Sequence, residues 1–260
     1  MRPLAVRKAD AAIRWILARG PGRVRGDLLV SEYPKSGGSW ISSMLADGLG
    51  LPFPRNRMPT LGRCILHGHL LPGRGRPRTL VVWRDGRDVM VSWYFHCMFM
   101  NERENHDLVR ATRRAFRVDD PEDVRGNLPA FIDYAFERQH HPGFDWSTFV
   151  DAWLAEDVEL QTSYEAMRSA PHEELGRVLA ALGAPVGAER VARIVERHGF
   201  ARVAGRQPGT EVRNSFLRKG VVGDWVNHFS DEARRRFDAR AGEALIRLGY
   251  ETDHGWVEAG

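Results

Sequence analysis

Cysteine is scarce in this sequence. The 260-residue chain has two, Cys64 and Cys97. Two thiols cannot staple a fold of this length, so the core must hold itself together by burial. A reducing cytoplasm is the expected setting, with a single disulfide left open. Long apolar runs are also missing. Nothing approaches the roughly 18 apolar residues of a membrane span. The Arg-studded stretch from Met1 to Gly26 has no apolar signal core, so export is not expected. Internal repeats and low-complexity tracts are absent. Lysine is rare: of 38 basic residues only Lys8, Lys35 and Lys219 are lysine. A chain that uses Arg for generic positive charge marks its remaining lysines as candidates for work that needs a compact ammonium.

What is present reads as an ordinary globular protein. Hydrophobic residues make up 43% and charged residues 28%, within the range of soluble domains. The formal net charge of +4, with ten histidines besides, favours anionic ligands without requiring them. No linker is visible, so residues 1–260 are read as one domain.

Leu28–Tyr33 is a short apolar run that reads as a buried strand. Pro34-Lys35-Ser36-Gly37-Gly38 breaks it. An amphipathic pattern starts at Ser39, the expected N-cap, and stops at Gly50. Cys64–His67 and Thr79–Trp83 read as further strands, the latter followed by a helix to about Met100. Asn101–Gly143 is Arg-rich and irregular with helical islands such as Leu128–Gln139, and is a candidate lid. Ser147–Glu156 reads as a helix and Val158–Ser163 as a strand. Helices follow at Pro171–Leu182 and Ala188–His198, with Gly183 and Gly199 as expected C-caps. Ala204–Gly223 is a polar loop, and Ser230–Leu248 a final helix. Strands alternating with helices predict an α/β fold around a mostly parallel sheet flanked by helices.

The strand–loop–helix at Tyr33–Trp40 is an anion site by construction. Backbone N–H groups and the helix dipole favour negative charge there. The glycines admit a close approach, Ser36 and Ser39 add hydroxyls, and Lys35 adds a point charge. It is not a Walker A loop, because the lysine precedes both glycines. The string Tyr33-Pro34-Lys35-Ser36-Gly37-Gly38-Ser39-Trp40 resembles the 5′-phosphosulfate loop of the cytosolic-type sulfotransferases. These use 3′-phosphoadenosine-5′-phosphosulfate (PAPS) as sulfuryl donor and release adenosine 3′,5′-bisphosphate (PAP). It departs once: Gly38 stands where the family usually has Thr, so one hydroxyl donor is lost.

Two further strings carry the same resemblance. Val81–Tyr94 resembles the family's 3′-phosphate segment, with Arg84 at the strand end and Ser92 eight residues on. The planar guanidinium of an Arg can bond two phosphate oxygens. Arg218-Lys219-Gly220-Val221-Val222-Gly223-Asp224-Trp225 matches every defined position of the loop that closes over the 3′-phosphate through Arg218, Lys219 and the Gly220 backbone. Tyr164 and Phe200 stand where the family places aromatics near the adenine, and Trp40 is a second stacking candidate. The resemblance implies a P-loop-like three-layer fold, PAPS as co-substrate, no metal, and a hydroxyl-bearing acceptor.

The acceptor hydroxyl must lose a proton, and histidine titrates in the right range. In His67-Gly68-His69-Leu70-Leu71-Pro72, His69 aligns best with the family's catalytic base, with His67 as the alternative. Lys35 and the helix N-terminus would stabilise the departing 5′-phosphate. Cys64, His67 and His69 are a weak metal triad, lacking a fourth ligand nearby. Two other readings stand. One is a P-loop kinase with Asp85 as a magnesium carboxylate. The other is a basic nucleic-acid-binding module, disfavoured because Arg and acidic residues are interleaved along the chain. The Arg and His residues of 101–143 point to a polar or acidic acceptor such as a sugar, with a phenol or lipid alcohol still open. The dimerisation string of some relatives is not recognisable before Arg218, which leaves oligomeric state open.

Overall fold

Leu28, Leu29 and Val30 are buried on both sides. Continuous apolar strands of this kind belong to parallel sheets covered on two faces. A computed structural model, which describes residues 3–103, 105–138 and 142–258, shows such a sheet. The chain runs α1 (Leu4–Ala18), α2 (Pro21–Arg25), β1 (Leu28–Glu32), α3 (Gly38–Leu49), β2 (Ile65–Gly68), β3 (Arg78–Trp83), α4 (Gly86–Met98), α5 (His106–Ala115), α6 (Val124–Glu137) and α7 (Trp146–Leu154). It continues with β4 (Gln161–Ser163), α8 (Tyr164–Ser169), α9 (Pro171–Ala181), α10 (Ala188–His198), α11 (Phe200–Ala204) and α12 (Asp231–Arg247). The strand order is β2-β1-β3-β4, and every described pairing is parallel. This is a P-loop-like α/β fold.

The described residues group into two compact units. The first is Met1–Arg84 with Ala152–Arg206, the second Asp85–Asp151 with Gln207–Gly260. In the first unit, Leu28, Val30, Leu80 and Val82 pack with Ile41, Met44, Leu45 and Leu179 on one side of the sheet. Leu29 and Leu66 pack with Leu17, Ala18 and Cys64 on the other. Alternate residues of a strand face opposite ways, so β1 feeds both layers, as does β2 through Ile65 and Leu66. In the second unit, buried rings pack against one another. Phe237 contacts Trp146, Phe136 and Phe229, and Tyr94 contacts Phe131. Gly86 opens α4 where a Cβ would stand 2.8 Å from both Phe237 and Trp146. No disulfide links Cys64 and Cys97, both of which are buried.

Several sequence expectations shift. Helix α3 begins at Gly38 with Gly37 as N-cap at φ 92°, so Ser39 lies inside the first turn. The loop's left-handed bend needs the glycine just before the helix, and that outranks a capping hydroxyl. Gly183 is left-handed as expected, at φ 80°. Gly199 is extended instead, at φ −60° and ψ 146°, because it leads directly into α11. The strand expected at Val158–Ser163 is paired only over Gln161–Ser163. Segment 101–143 contains α5 and α6 rather than isolated islands, and Gln139, the expected end of its helix, lies outside the described residues. Helices α1, α2, α8 and α11 were not anticipated.

Candidate active site

The glycine loop leaves the carboxyl end of β1, the edge where open α/β sheets hold their ligands. Ser36 N–H donates to Tyr33 O (3.2 Å). Pro34 and Lys35 are therefore the two central residues of a β-turn. Lys35 holds φ at 72°, a left-handed conformation that costs a non-glycine residue about 1–3 kcal/mol. Ser36 is 1% exposed, and its Oγ has no hydrogen-bond partner among the described residues. A buried hydroxyl left in that state fits a ligand oxygen.

The carboxyl ends of β3 and β4 close in on the same loop. Arg84 donates to Lys35 O at 2.7 Å and its guanidinium lies 4.2 Å from the Tyr164 ring centre. Gly37 passes so close to Tyr164 that a Cβ would stand 2.7 Å from Cδ2. Trp40 meets Tyr164 edge-on at 5.9 Å and donates its indole N–H to His198 O at 2.8 Å. Phe200 follows two residues later at the start of α11, with the Arg206 guanidinium 5.4 Å from its ring. Lys35, Ser36, Gly37, Trp40, Arg84 and Tyr164 thus form one constellation in the first unit.

The histidines reach this edge through strand register. Val30 pairs with His67 and Ser31 with Gly68, which brings His69 level with Glu32. The segment beyond is fixed at Leu70 O, which accepts from Ser31 Oγ and Trp153 Nε1, each at 2.9 Å. His69 Nδ1 lies 3.0 Å from Glu32 O. A carbonyl only accepts, so Nδ1 carries the proton and Nε2 is the basic nitrogen of the neutral ring. His67 Nε2 donates to Glu32 Oε1 at 2.7 Å. The two rings sit 5.6 Å apart, edge to face. Cys64 packs in the apolar layer on the other side of the sheet, and the Cys64–His67–His69 metal triad does not assemble.

Glu32 is the residue that sequence reasoning missed. Its carboxylate is 4% exposed and accepts from both His67 and Gly38 N–H. Burial works to raise its pKa. The hydrogen bond and charge of His67, the charge of His69 and the Gly38 N–H together hold it below the ordinary carboxylate value. The available signal was an acidic residue at the end of a fully buried strand.

The second unit carries the remaining residues. Ser92 lies half-buried on α4, three residues before Phe95, whose ring is 4.5 Å from the Arg218 guanidinium. Residues three apart share a helix face. Asp88, also on α4, accepts from Gly223 N–H (2.8 Å) and Trp225 N–H (3.0 Å), which clamps the loop. Within it, Arg218 pairs with Glu211 and Asp224, and Lys219 pairs with Asp224. Val212 N–H donates to Arg218 O and Gly209 N–H to Lys219 O, each at 2.9 Å. Gly220 is left-handed at φ 67°. Burial would raise the Asp224 pKa, but hydrogen bonds from His228, Lys219 and Arg218 hold it far below the carboxylate range.

Ligand atoms of Glu211, Asp224 and His228 lie within 4.8 Å of one another. Arg218 and Lys219 already bring two positive charges to these carboxylates, which disfavours a cation there. Asp85, the magnesium ligand of the kinase reading, caps α4 by accepting from Arg87 N–H at 2.8 Å and pairs with the Arg87 guanidinium.

Comparison with known proteins identifies the family and the fold. A family profile described as "Sulfotransferase domain" matches residues 63–249. Sulfotransferase 1E1 of Cavia porcellus is 26% identical over 259 residues, covering 82% of this chain and 80% of its own length. Cytosolic sulfotransferase 3 of Arabidopsis thaliana is 22% identical, covering 84% and 76%. Among solved structures, mouse sulfotransferase SULT7A1 complexed with PAP superposes with a TM-score of 0.63 at 19% identity, over 90% of this chain and 88% of that one. Retinol dehydratase in complex with androsterone and inactive cofactor PAP gives 0.50 at 16%, over 93% and 85%. The structural likenesses establish the fold, and the profile match, which spans most of the sequence, establishes that this chain belongs to the sulfotransferase domain family.

Proposed function

We propose that this sulfotransferase moves the sulfuryl group of PAPS to a hydroxyl of a small-molecule acceptor, with His69 as general base and Lys35 on the leaving phosphate. Use of PAPS with PAP as product is the family's reaction. The observation that carries it is the buried, unpartnered Ser36 hydroxyl in the same tight turn as Lys35, at the start of α3.

In this reading Lys35, Ser36, Gly37, Gly38 and Ser39 take the 5′-phosphosulfate, and Trp40, Tyr164 and Phe200 take the adenine. Arg84, Ser92, Arg218, Lys219 and the Gly220 backbone take the 3′-phosphate. His69 Nε2 removes the acceptor proton as the oxygen attacks sulfur in line. The bond from sulfur to the phosphate oxygen breaks, and its electron pair stays on PAP. Lys35 meets that charge, as aimed donors do at about 3–4 kcal/mol each. Ser92 lies on the helix face toward the Arg218 loop and is read as coupling 3′-phosphate binding to turnover.

The profile match crosses from one unit into the other and back, which supports reading both as one sulfotransferase domain. Segment 101–143 is assigned to the acceptor side. A carbohydrate, a phenol and a lipid alcohol are the acceptor classes to test. Retinol dehydratase, solved with androsterone and with retinol, adds weight to the last. No helix among the described residues is long and apolar enough to cross a membrane, and a cytoplasmic location is the one we propose.

Thermal shift tests the donor site. Adenosine 3′,5′-bisphosphate at about 100 times its dissociation constant should stabilise the protein by about 2.7 kcal/mol, without metal, while AMP does not. Stabilisation by Mg-ATP alone would overturn the reading.

A further inference from the structure

Gly38 departs from the family loop, and the structure gives a physical reason. A Cβ at position 38 would stand 2.6 Å from Glu32 Cδ and 2.9 Å from Glu32 Oε2. The space that a side chain would fill is taken by a carboxylate from the end of β1. That carboxylate is buried, accepts from Gly38 N–H, and holds His67 through its other oxygen. The backbone carbonyl of the same residue accepts from His69 Nδ1. One residue therefore holds both candidate bases by two different groups.

We propose that Glu32 is the positioning residue of the His67–His69 pair, and that Gly38 is glycine to admit its carboxylate. The proposal rests on the sulfotransferase reading above. The Glu32 carbonyl fixes the His69 tautomer that presents Nε2 as base. The Glu32 carboxylate locks the neighbouring His67 ring and places a negative charge beside the imidazolium that forms when His69 takes the acceptor proton. A fixed carboxylate behind a histidine base orients the ring and stabilises its charged form. The loop thus trades a hydroxyl donor for an internal anion that serves the base.

Three measurements on the full chain test this. The first is a thermal cycle. Gly38→Ala should lower Tm by about 3–6 °C, because the new methyl displaces a bonded, buried carboxylate. In a Glu32→Ala background the same change should be neutral or stabilising. Equal losses in both backgrounds would overturn the pairing. The second is proton NMR. His67 Nε2–H should give a downfield, exchange-protected resonance, assigned by its loss in His67→Gln and missing in Glu32→Ala. Its persistence in Glu32→Ala would overturn the contact. The third is PAP release from PAPS with water as the sulfuryl acceptor and inorganic sulfate as the second product. Glu32→Gln should lower kcat about 10- to 100-fold with KM for PAPS within about threefold. A purely structural role would lower Tm and leave kcat intact, which refutes positioning. A wild-type protein that neither binds PAP nor releases it would sink the sulfotransferase roles, while the thermal cycle and the NMR signal would still decide Glu32.

Discussion

The glycine loop of the first unit and the basic loop of the second solve one problem differently. Each gathers positive potential for a phosphate, and each carries carboxylates of its own. At the glycine loop the internal anion is Glu32, 4% exposed, bonded to a backbone N–H and a histidine. At the basic loop it is Asp224 with Glu211, bonded to the very side chains assigned to the phosphate. The first loop departs from the family string at Gly38 and the second matches it throughout. A departure from a motif can therefore mark a rebuilt interaction, and a perfect match can hide an internal competitor.

The comparison breaks most decisively at Lys35. Lys35→Gly removes the ammonium while relieving a left-handed non-glycine backbone. PAP release from PAPS should fall roughly 10²-fold, about 3 kcal/mol, with Tm not lowered. A large Tm loss would show that the lysine serves the fold. At the other loop, Arg218→Ala should weaken PAP about 10- to 100-fold by calorimetry, the worth of charge-assisted bonds. Unchanged affinity would remove Arg218 from the donor site.

Asp88→Ala tests what holds the basic loop. It strips the acceptor from two loop N–H groups and should cost about 2–4 kcal/mol in denaturant titration. Acid sharpens the same contrast. The Asp224 carboxyl is held far below its ordinary value of 3.8. Its stabilisation is complete above that unfolded value and is lost as pH falls through the lower folded one. Asp224→Asn should lower Tm near neutrality and leave Tm less dependent on pH below about 4. Glu211→Gln should have the smallest effect, a two- to fivefold gain in PAP affinity of about the size of a partly exposed ion pair, because one competing carboxylate leaves Arg218.

Much of this was legible in the residues. The apolar runs at Leu28 and Thr79 marked strands because both faces of a parallel sheet are covered. The first motif marked a strand–turn–helix, which the structure shows at β1 and α3. Other features were not legible. Gly199 does end α10 as expected, but sequence cannot tell a left-handed cap from an extended link into the next helix. Helix α1 went unread because its arginines and lysine interrupt the apolar stripe. Arg218 and Lys219 read as ligands of a phosphate, and their pairing with Asp224 of the same string and with Glu211 was not read from spacing.

The sequence alone determined the fold class, through local periodicity, and the family, through the resemblance of three short strings. Only the tertiary structure decided the partnership of Glu32 with Gly38, His67 and His69. The histidine contacts arise from the parallel register of β1 and β2, which joins residues more than thirty positions apart, and the Gly38 contact arises from the turn that carries the loop back over the end of β1. Such a register is set by burial on both faces of the sheet and leaves no local trace in the chain.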